Sequence, residues 1–186
     1  METNKQFEKV FEICKELFTK KLEDYGASWR ILRPESLTDQ IYIKANRIRT
    51  IEICQSALID ESIEEDYIAI INYSIIAIIQ LDLGLADKID IDNISANELY
   101  NKYYIKSTEL MKKKNHDYGE AWRMMRISSY TDLILTKIFR IKQIEDKKGK
   151  TMISEGIESN YFDIINYSVF ALIKIFENSN NKIFEK

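Results

Sequence analysis

One proline and five glycines in 186 residues leave little material for turns. Sheet-rich folds spend both residues on frequent chain reversals, so their scarcity argues against a many-stranded architecture and for long elements with few connections. The two cysteines, Cys14 and Cys54, stand apart without a CxxC pair or a Cys/His cluster. That excludes a disulfide framework or zinc site and marks both as small buried apolar residues in a reducing compartment. Neither charge sign dominates: the net charge is -3 and the pI about 5.4. A duplex-binding protein would need a basic face that such a balance does not supply. The longest apolar run, residues 68–81, is broken by Asn72, Tyr73, Ser74 and Gln80 and is short for a bilayer span. The first helix-like segment is amphipathic and acidic, unlike a secretory signal. The expected setting is cytoplasmic, with no membrane contact. No P-loop, dinucleotide fingerprint or nucleophile–base pair is present.

What the chain does contain is itself, twice. Residues 16–52 match residues 109–145 at 19 of 37 positions, and residues 61–79 match 155–173 at 11 of 19. The anchors are KK..DYG..WR..R (Lys20 to Arg33, Lys113 to Arg126) and a later I...YxxIINYS (Ile63 to Ser74, Ile157 to Ser168). A repeat of this kind is one supersecondary unit used again.

Each unit reads as three helices. Phe7, Val10, Phe11, Cys14, Leu17 and Phe18 recur at helical spacing, which predicts a first helix over 4–23 and, in the second copy, over 96–115. The DYG triplet supplies its stop, with the glycine free to take a left-handed cap. The second helix is expected at 38–55 and 131–147, with Thr38 or Asp39 and Thr131 or Asp132 as N-caps. The third, at 62–82 and 156–177, is apolar nearly all round and should be the most buried. The expected fold is all-α: a six-helix bundle of two tandem three-helix repeats, residues 1–82 and 96–186, joined by a linker at 83–95 and related by pseudo-two-fold symmetry. The isoleucine abundance favours strands on propensity, but these apolar stretches exceed ordinary strand length and carry no internal turn signal.

Polar residues inside apolar helices call for a reason. Asn72 and Asn166 lie mid-way along the third helices, where an unpaired amide costs about 1–3 kcal/mol. One explanation is a structural bond to a neighbouring helix. The other follows from spacing: Glu155, Ser159, Asp163 and Asn166 form one stripe, as do Glu61, Glu65, Ala69 and Asn72. Oxygen ligands on one inward face suit a hard cation such as Mg²⁺. Lys44 with Arg47, and Lys137 with Arg140, sit three apart on the second helices. They are either solvated or salt-bridged cations, or a basic stripe facing the acids across a metal-bound polyphosphate. Tyr25, Trp29, Arg30 and Arg33, and likewise Tyr118, Trp122, Arg123 and Arg126, crowd into ten residues. They can stack a base and clamp a phosphate, or form a helix stop whose Trp fills the core while the arginines pair with acids.

The strings DYGxxWR, KxxRI and ESIEEDYIAIINYS resemble the nucleotide modification associated domain 1 family, across both repeats. That family is in turn similar to the all-α nucleoside triphosphate pyrophosphohydrolases of the MazG and dimeric dUTPase type. The resemblance implies magnesium held by acidic side chains and cleavage of a (d)NTP to (d)NMP and pyrophosphate. The D-x-x-N pair of those enzymes falls on Asp163 and Asn166; in the first copy only Asn72 remains. Their E-x-x-E pair has no counterpart, since Lys44/Arg47 and Lys137/Arg140 stand on the comparable helices. The expected function is accordingly Mg²⁺-dependent nucleotide binding, with hydrolysis of the ligand left open by the missing E-x-x-E pair. Glu61, Glu65, Asn72, Glu155, Asp163 and Asn166 would hold metal. Asp163, Glu155 and Glu158 would serve the chemistry, with one of the two glutamates as base. Lys44, Arg47, Lys137 and Arg140 would contact phosphates, and Arg30 and Arg123 would lie with the aromatic clusters. The rivals are a non-catalytic module binding a nucleotide or a protein, and a helical scaffold. A homodimer is a further candidate assembly.

Overall fold

The computed structural model describes residues 2–150 and 155–179. Six α-helices follow in the order α1 (Glu2–Tyr25), α2 (Pro34–Cys54), α3 (Ile63–Leu83), α4 (Asn93–Tyr118), α5 (Ile127–Asp146) and α6 (Ile157–Asn178). Single 3₁₀ turns, Ser28–Ile31 and Ala121–Met124, join α1 to α2 and α4 to α5. Among the described residues there is no strand, as the dearth of turn residues implies.

The ends of the helices follow local chemistry. The only proline, Pro34, opens α2, where a missing N–H costs nothing. Ser62 caps α3 by accepting from the Glu65 amide, and Asp92 caps α4 by accepting from the Ser95 amide at 2.7 Å. Gly26 (φ 64) and Gly119 (φ 57) end α1 and α4 in the left-handed region, as the DYG motif predicts. The expected caps of α2 and α5 are wrong. Both helices begin four residues earlier, at Pro34 and Ile127, so Thr38 and Thr131 lie inside them.

Those threonines do something else. The Thr38 hydroxyl donates to Glu145 at 2.6 Å and shares a hydrogen bond with the Tyr161 hydroxyl. Its counterpart Thr131 donates to Glu52 and bonds the Tyr67 hydroxyl, both at 2.9 Å. Each repeat thus supplies the threonine for the other's glutamate or tyrosine, and α2 packs on α5 as α3 packs on α6. The reciprocity is the pseudo-two-fold made visible, and it joins both halves into one core. Desolvation in this seam raises the Glu52 and Glu145 carboxyls above their ordinary pKa.

The third helix of each repeat is the most buried, as expected. Ile70, Ile71, Ile75 and Ile79 of α3, with Ile164, Ile165 and Leu172 of α6, are fully enclosed. Each such side chain contributes about 1.5–3 kcal/mol relative to exposure. The helix α3 is long and apolar enough to cross a bilayer, longer than the uninterrupted run in its sequence, but 72% of that stretch is buried inside the bundle. It is a core helix. Cys14 is buried as expected, whereas Cys54 is exposed at the end of α2.

Candidate functional site

Each repeat holds one cavity between its first helix, its 3₁₀ turn and its third helix. The first, about 370 Å³, is lined by Lys21 and Tyr25 of α1, Trp29 of the turn, and Ala69, Asn72, Tyr73 and Ile76 of α3. The second, about 310 Å³, is lined by Lys114, Asn115, Tyr118, Trp122, Asp163, Asn166, Tyr167 and Phe170. These are the same positions of the repeat, Asn115 included, since its counterpart Leu22 also lines the first cavity. Both volumes fall within the range of small-molecule sites, about 300–1,000 Å³.

The turn that carries the tryptophan is held from behind in both halves. In the first, the Gln80 amide donates to the carbonyls of Arg30 and Leu32 at 2.8 and 2.7 Å. In the second, Lys174 stands at that position and donates to the carbonyls of Arg123 and Met125. A rigid mount of this kind fixes the indole before any ligand arrives.

The two cavities differ at the tryptophan. The Trp122 indole N–H donates to the Asn115 side chain at 3.1 Å. Phe170 stacks on its ring at 4.5 Å and 14°, and the Arg123 guanidinium lies 4.3 Å from its centre. In the first repeat Leu22 replaces Asn115 and Ile76 replaces Phe170. The Trp29 N–H is buried without a hydrogen-bond partner among the described residues, and no ring or cation covers its face. An orphaned donor of this kind costs about 1–3 kcal/mol in the empty protein.

The asparagines also diverge. Asn72 accepts from the Tyr100 hydroxyl at 2.8 Å and donates to the Cys14 carbonyl at 3.0 Å, so its amide is satisfied by neighbouring helices. Asn166 accepts from Ser107 at 2.8 Å, but its amide N–H₂ finds no partner among the described residues.

The expected metal stripe is not assembled. Glu61, Glu65 and Glu155 are exposed: Glu61 and Glu155 precede their helices, and Glu65 stands in the first turn of α3. Glu158 is also exposed and meets Lys106 at 3.8 Å. Asp163 is buried, but Lys137 sits at 2.6 Å from one oxygen and Lys114 binds the other. Among the described residues no three His, Cys, Asp or Glu side chains gather where they could hold a metal. These residues do not fit a Mg²⁺ centre.

The basic residues are mostly spent on acids. Lys44 and Arg47 both pair with Asp66, which is fully buried, and Lys44 also reaches Glu61 at 3.5 Å. Arg30 is buried and does not face the cavity's ligand space as expected. Its guanidinium holds Asp90 at 2.7 and 3.0 Å, the Gln80 side chain and the Gly84 carbonyl, pinning the linker to the turn. Arg123 is likewise committed, to Glu120, Glu177, Thr3 and Gln6. Arg140 is exposed and makes no ion pair among the described residues, and neither does Lys21, which is exposed at the first cavity. A wider cavity, about 730 Å³, lies by Glu52, Glu61 and Glu64 and has no basic side chain in its lining. It offers a phosphate nothing.

The model of nucleotide modification associated domain 1 matches residues 21–81 and 114–175, both repeats. The chain belongs to that family. No curated protein and no solved structure matches it. The matched segments run from Lys21 and Lys114 past Gln80 and Lys174, so they enclose nearly all of both cavities. Spacing arguments drew attention to Trp29, Asn72, Asp163 and Asn166 but missed Lys21, Asp66, Lys114 and Asn115. For Asp66 and Asn115 the signal was available in the internal alignment, as differences between the copies, while Lys21 and Lys114 are equivalent and belong to its KK anchor. Asp66 faces Asn160, Asp163 faces Ala69, and Leu22 faces Asn115.

Proposed function

We propose that this chain binds a nucleotide in the cavity of its first repeat, as a non-catalytic member of the nucleotide modification associated domain 1 family. The base enters against Trp29, with Tyr25 at the mouth, and the phosphate lies towards Lys21. The observation that carries this reading is the buried Trp29 N–H, unpartnered in a cavity of about 370 Å³. A base carbonyl or ring nitrogen satisfies that donor, and among the described residues no other ring or cation stacks on the indole; base–aromatic stacking is worth about 1–3 kcal/mol. Lys21 lacks a carboxylate partner because Ala69 stands where the second repeat has Asp163, so its charge remains for the ligand.

Binding is favoured over hydrolysis by the dispersal of the acids. Glu61, Glu65, Glu155 and Glu158 face solvent, and Asp163 is neutralised by two lysines. A magnesium-assisted attack on phosphorus needs two or more carboxylates on one ion beside the phosphates. The pyrophosphohydrolase reading therefore gives way to the binding module.

Calorimetry with a panel of ribo- and deoxyribonucleoside monophosphates in EDTA tests the reading. Saturable heat from at least one of them is expected, unchanged when EDTA is replaced by magnesium. Silence across the panel overturns the binding claim. Pyrophosphate released from any triphosphate overturns the non-catalytic claim.

A further inference from the structure

We infer that the second repeat's cavity is a second binding site, for an uncharged ring carrying a hydrogen-bond acceptor: a nucleoside or free base. Its starting point is a separate orphan. The Asn166 amide lines this cavity, is 4% exposed, and has its oxygen engaged by Ser107 while its N–H₂ group is unpartnered. In the first repeat the corresponding N–H₂ is used internally, on the Cys14 carbonyl. Each cavity therefore keeps one buried donor unspent, and the two come from different walls: the indole in the first, the amide in the second. A degenerating copy would be expected to fill or satisfy its pocket. This one keeps a cavity of about 310 Å³ above an unused donor.

The charge of the ligand follows from the neighbour of that donor. Asp163 stands one helical turn before Asn166 and is almost as buried. Asp163 is already paired with both Lys114 and Lys137, so an anionic ligand would have to compete with a buried carboxylate for cations that are spent, in the same low-dielectric space. Lys114 is the residue equivalent to the unpaired Lys21. Burial opposes the Lys114 charge, but Asp163 more than offsets this and holds its pKa above the ordinary value. An acceptor that brings no charge meets the amide without this penalty. Tyr118 and Tyr167 flank it, while Trp122 is already covered by Phe170. The donor has one geometry and the ligand needs one matching lone pair, so an isostere lacking the acceptor is rejected by leaving the amide unpaired.

The site stands on geometry of its own; only the choice of nucleosides as probes rests on the function proposed above. The test uses the full chain carrying Trp29→Phe, which removes the first cavity's donor. Adenosine, uridine and their 5′-monophosphates are titrated in EDTA by calorimetry. A nucleoside is expected to bind with about tenfold preference over its monophosphate. Asn166→Leu should weaken it about tenfold or more, the cost of burying the ligand's acceptor without its donor. Asn166→Asp preserves the oxygen that Ser107 needs while replacing the donor, and should show the same loss if the leucine variant fails to fold. Asp163→Asn should shrink the discrimination against the monophosphate. A preference for the monophosphate, nucleoside binding indifferent to Asn166, or no nucleoside binding at millimolar concentration each overturns the inference. Failure of the first-cavity reading looks different: Trp29→Phe would then leave nucleotide binding as it is in the parent chain.

Discussion

Asp66 of α3 and Asp163 of α6 lie one helical turn apart in the common frame of the two repeats, yet each is a buried carboxylate gathering two cations. Asp66 aligns with Asn160 and pairs with Lys44 and Arg47. Asp163 aligns with Ala69 and pairs with Lys137 and Lys114. Lys44 and Lys137 are equivalent, so the displaced acid keeps one cation and exchanges the other. Lys21 and Arg140 are left over, one in each repeat. Lys21 lines the first cavity without an ion pair among the described residues, whereas its equivalent at the second cavity, Lys114, is spent on Asp163.

Asp66→Asn should destabilise the protein strongly without touching either cavity. It leaves Lys44 and Arg47 facing a neutral amide, and removing one partner of a buried pair typically costs about 3–5 kcal/mol. Because both cations reach solvent, with side chains 28% and 18% exposed, the low end near ~3 kcal/mol is expected. Urea denaturation measures it. A change within error of zero would mean that the pair is dispensable.

Arg30→Lys separates structure from binding at a residue first expected to contact phosphate. Lysine retains the charge but not the fork that holds Asp90, Gln80 and the Gly84 carbonyl together. A loss of about 2–4 kcal/mol is expected, with nucleotide affinity retained at a temperature where the variant is folded. Lost affinity in the folded variant would return Arg30 to the site.

Glu120 makes the contact between the second 3₁₀ turn and the start of α1 sensitive to acid. Hydrogen bonds from Thr3 and Arg123 pull its carboxyl down from 4.5 to about 2. The folded pKa is below the unfolded one, so this contribution is complete above pH 4.5 and fades as pH falls towards 2. Thermal melts between those limits should fall more steeply in the wild type than in Glu120→Gln. Parallel slopes would remove Glu120 from the acid response.

Glu52 and Glu145 carry the opposite sign. Burial raises both above 4.5, so their contribution is fully present below that value and is lost as pH rises through the raised pKa. The double variant Glu52→Gln/Glu145→Gln should flatten the decline in melting temperature between pH 5 and pH 8, which scanning calorimetry reads directly. A steeper decline would show that the ionised forms are the stabilising ones.

Much of the fold was legible because its signals are redundant. Helical periodicity, the glycine stops and the internal repeat each point to the same six helices, and the buried third helix follows from hydrophobicity alone. The N-caps of α2 and α5 were misplaced because Thr38 and Thr131 look like caps while their partners, Glu145 and Glu52, lie 107 and 79 residues away. The site was only half legible. Helical spacing grouped Glu61, Glu65 and Asn72 as one stripe, but α3 begins at Ile63, so Glu61 lies before the helix, and within the first turn Glu65 is exposed while Asp66 is buried. Arg30 sits beside Trp29 in sequence and turns away from its cavity, since Asp90 in the linker is the stronger partner. What no local pattern could reveal is an unmade bond. The orphaned Trp29 N–H exists only because Leu22 is where Asn115 would be.

The account depends most on that N–H meeting a nucleotide. The chain has two tryptophans, so a ¹⁵N–¹H spectrum contains two indole cross-peaks, assigned by Trp29→Phe and Trp122→Phe. On addition of a nucleoside monophosphate that calorimetry shows to bind, the Trp29 indole proton should move downfield as it gains an acceptor, with the larger shift of the two. A Trp29 peak that stays fixed at saturating ligand would contradict the claim.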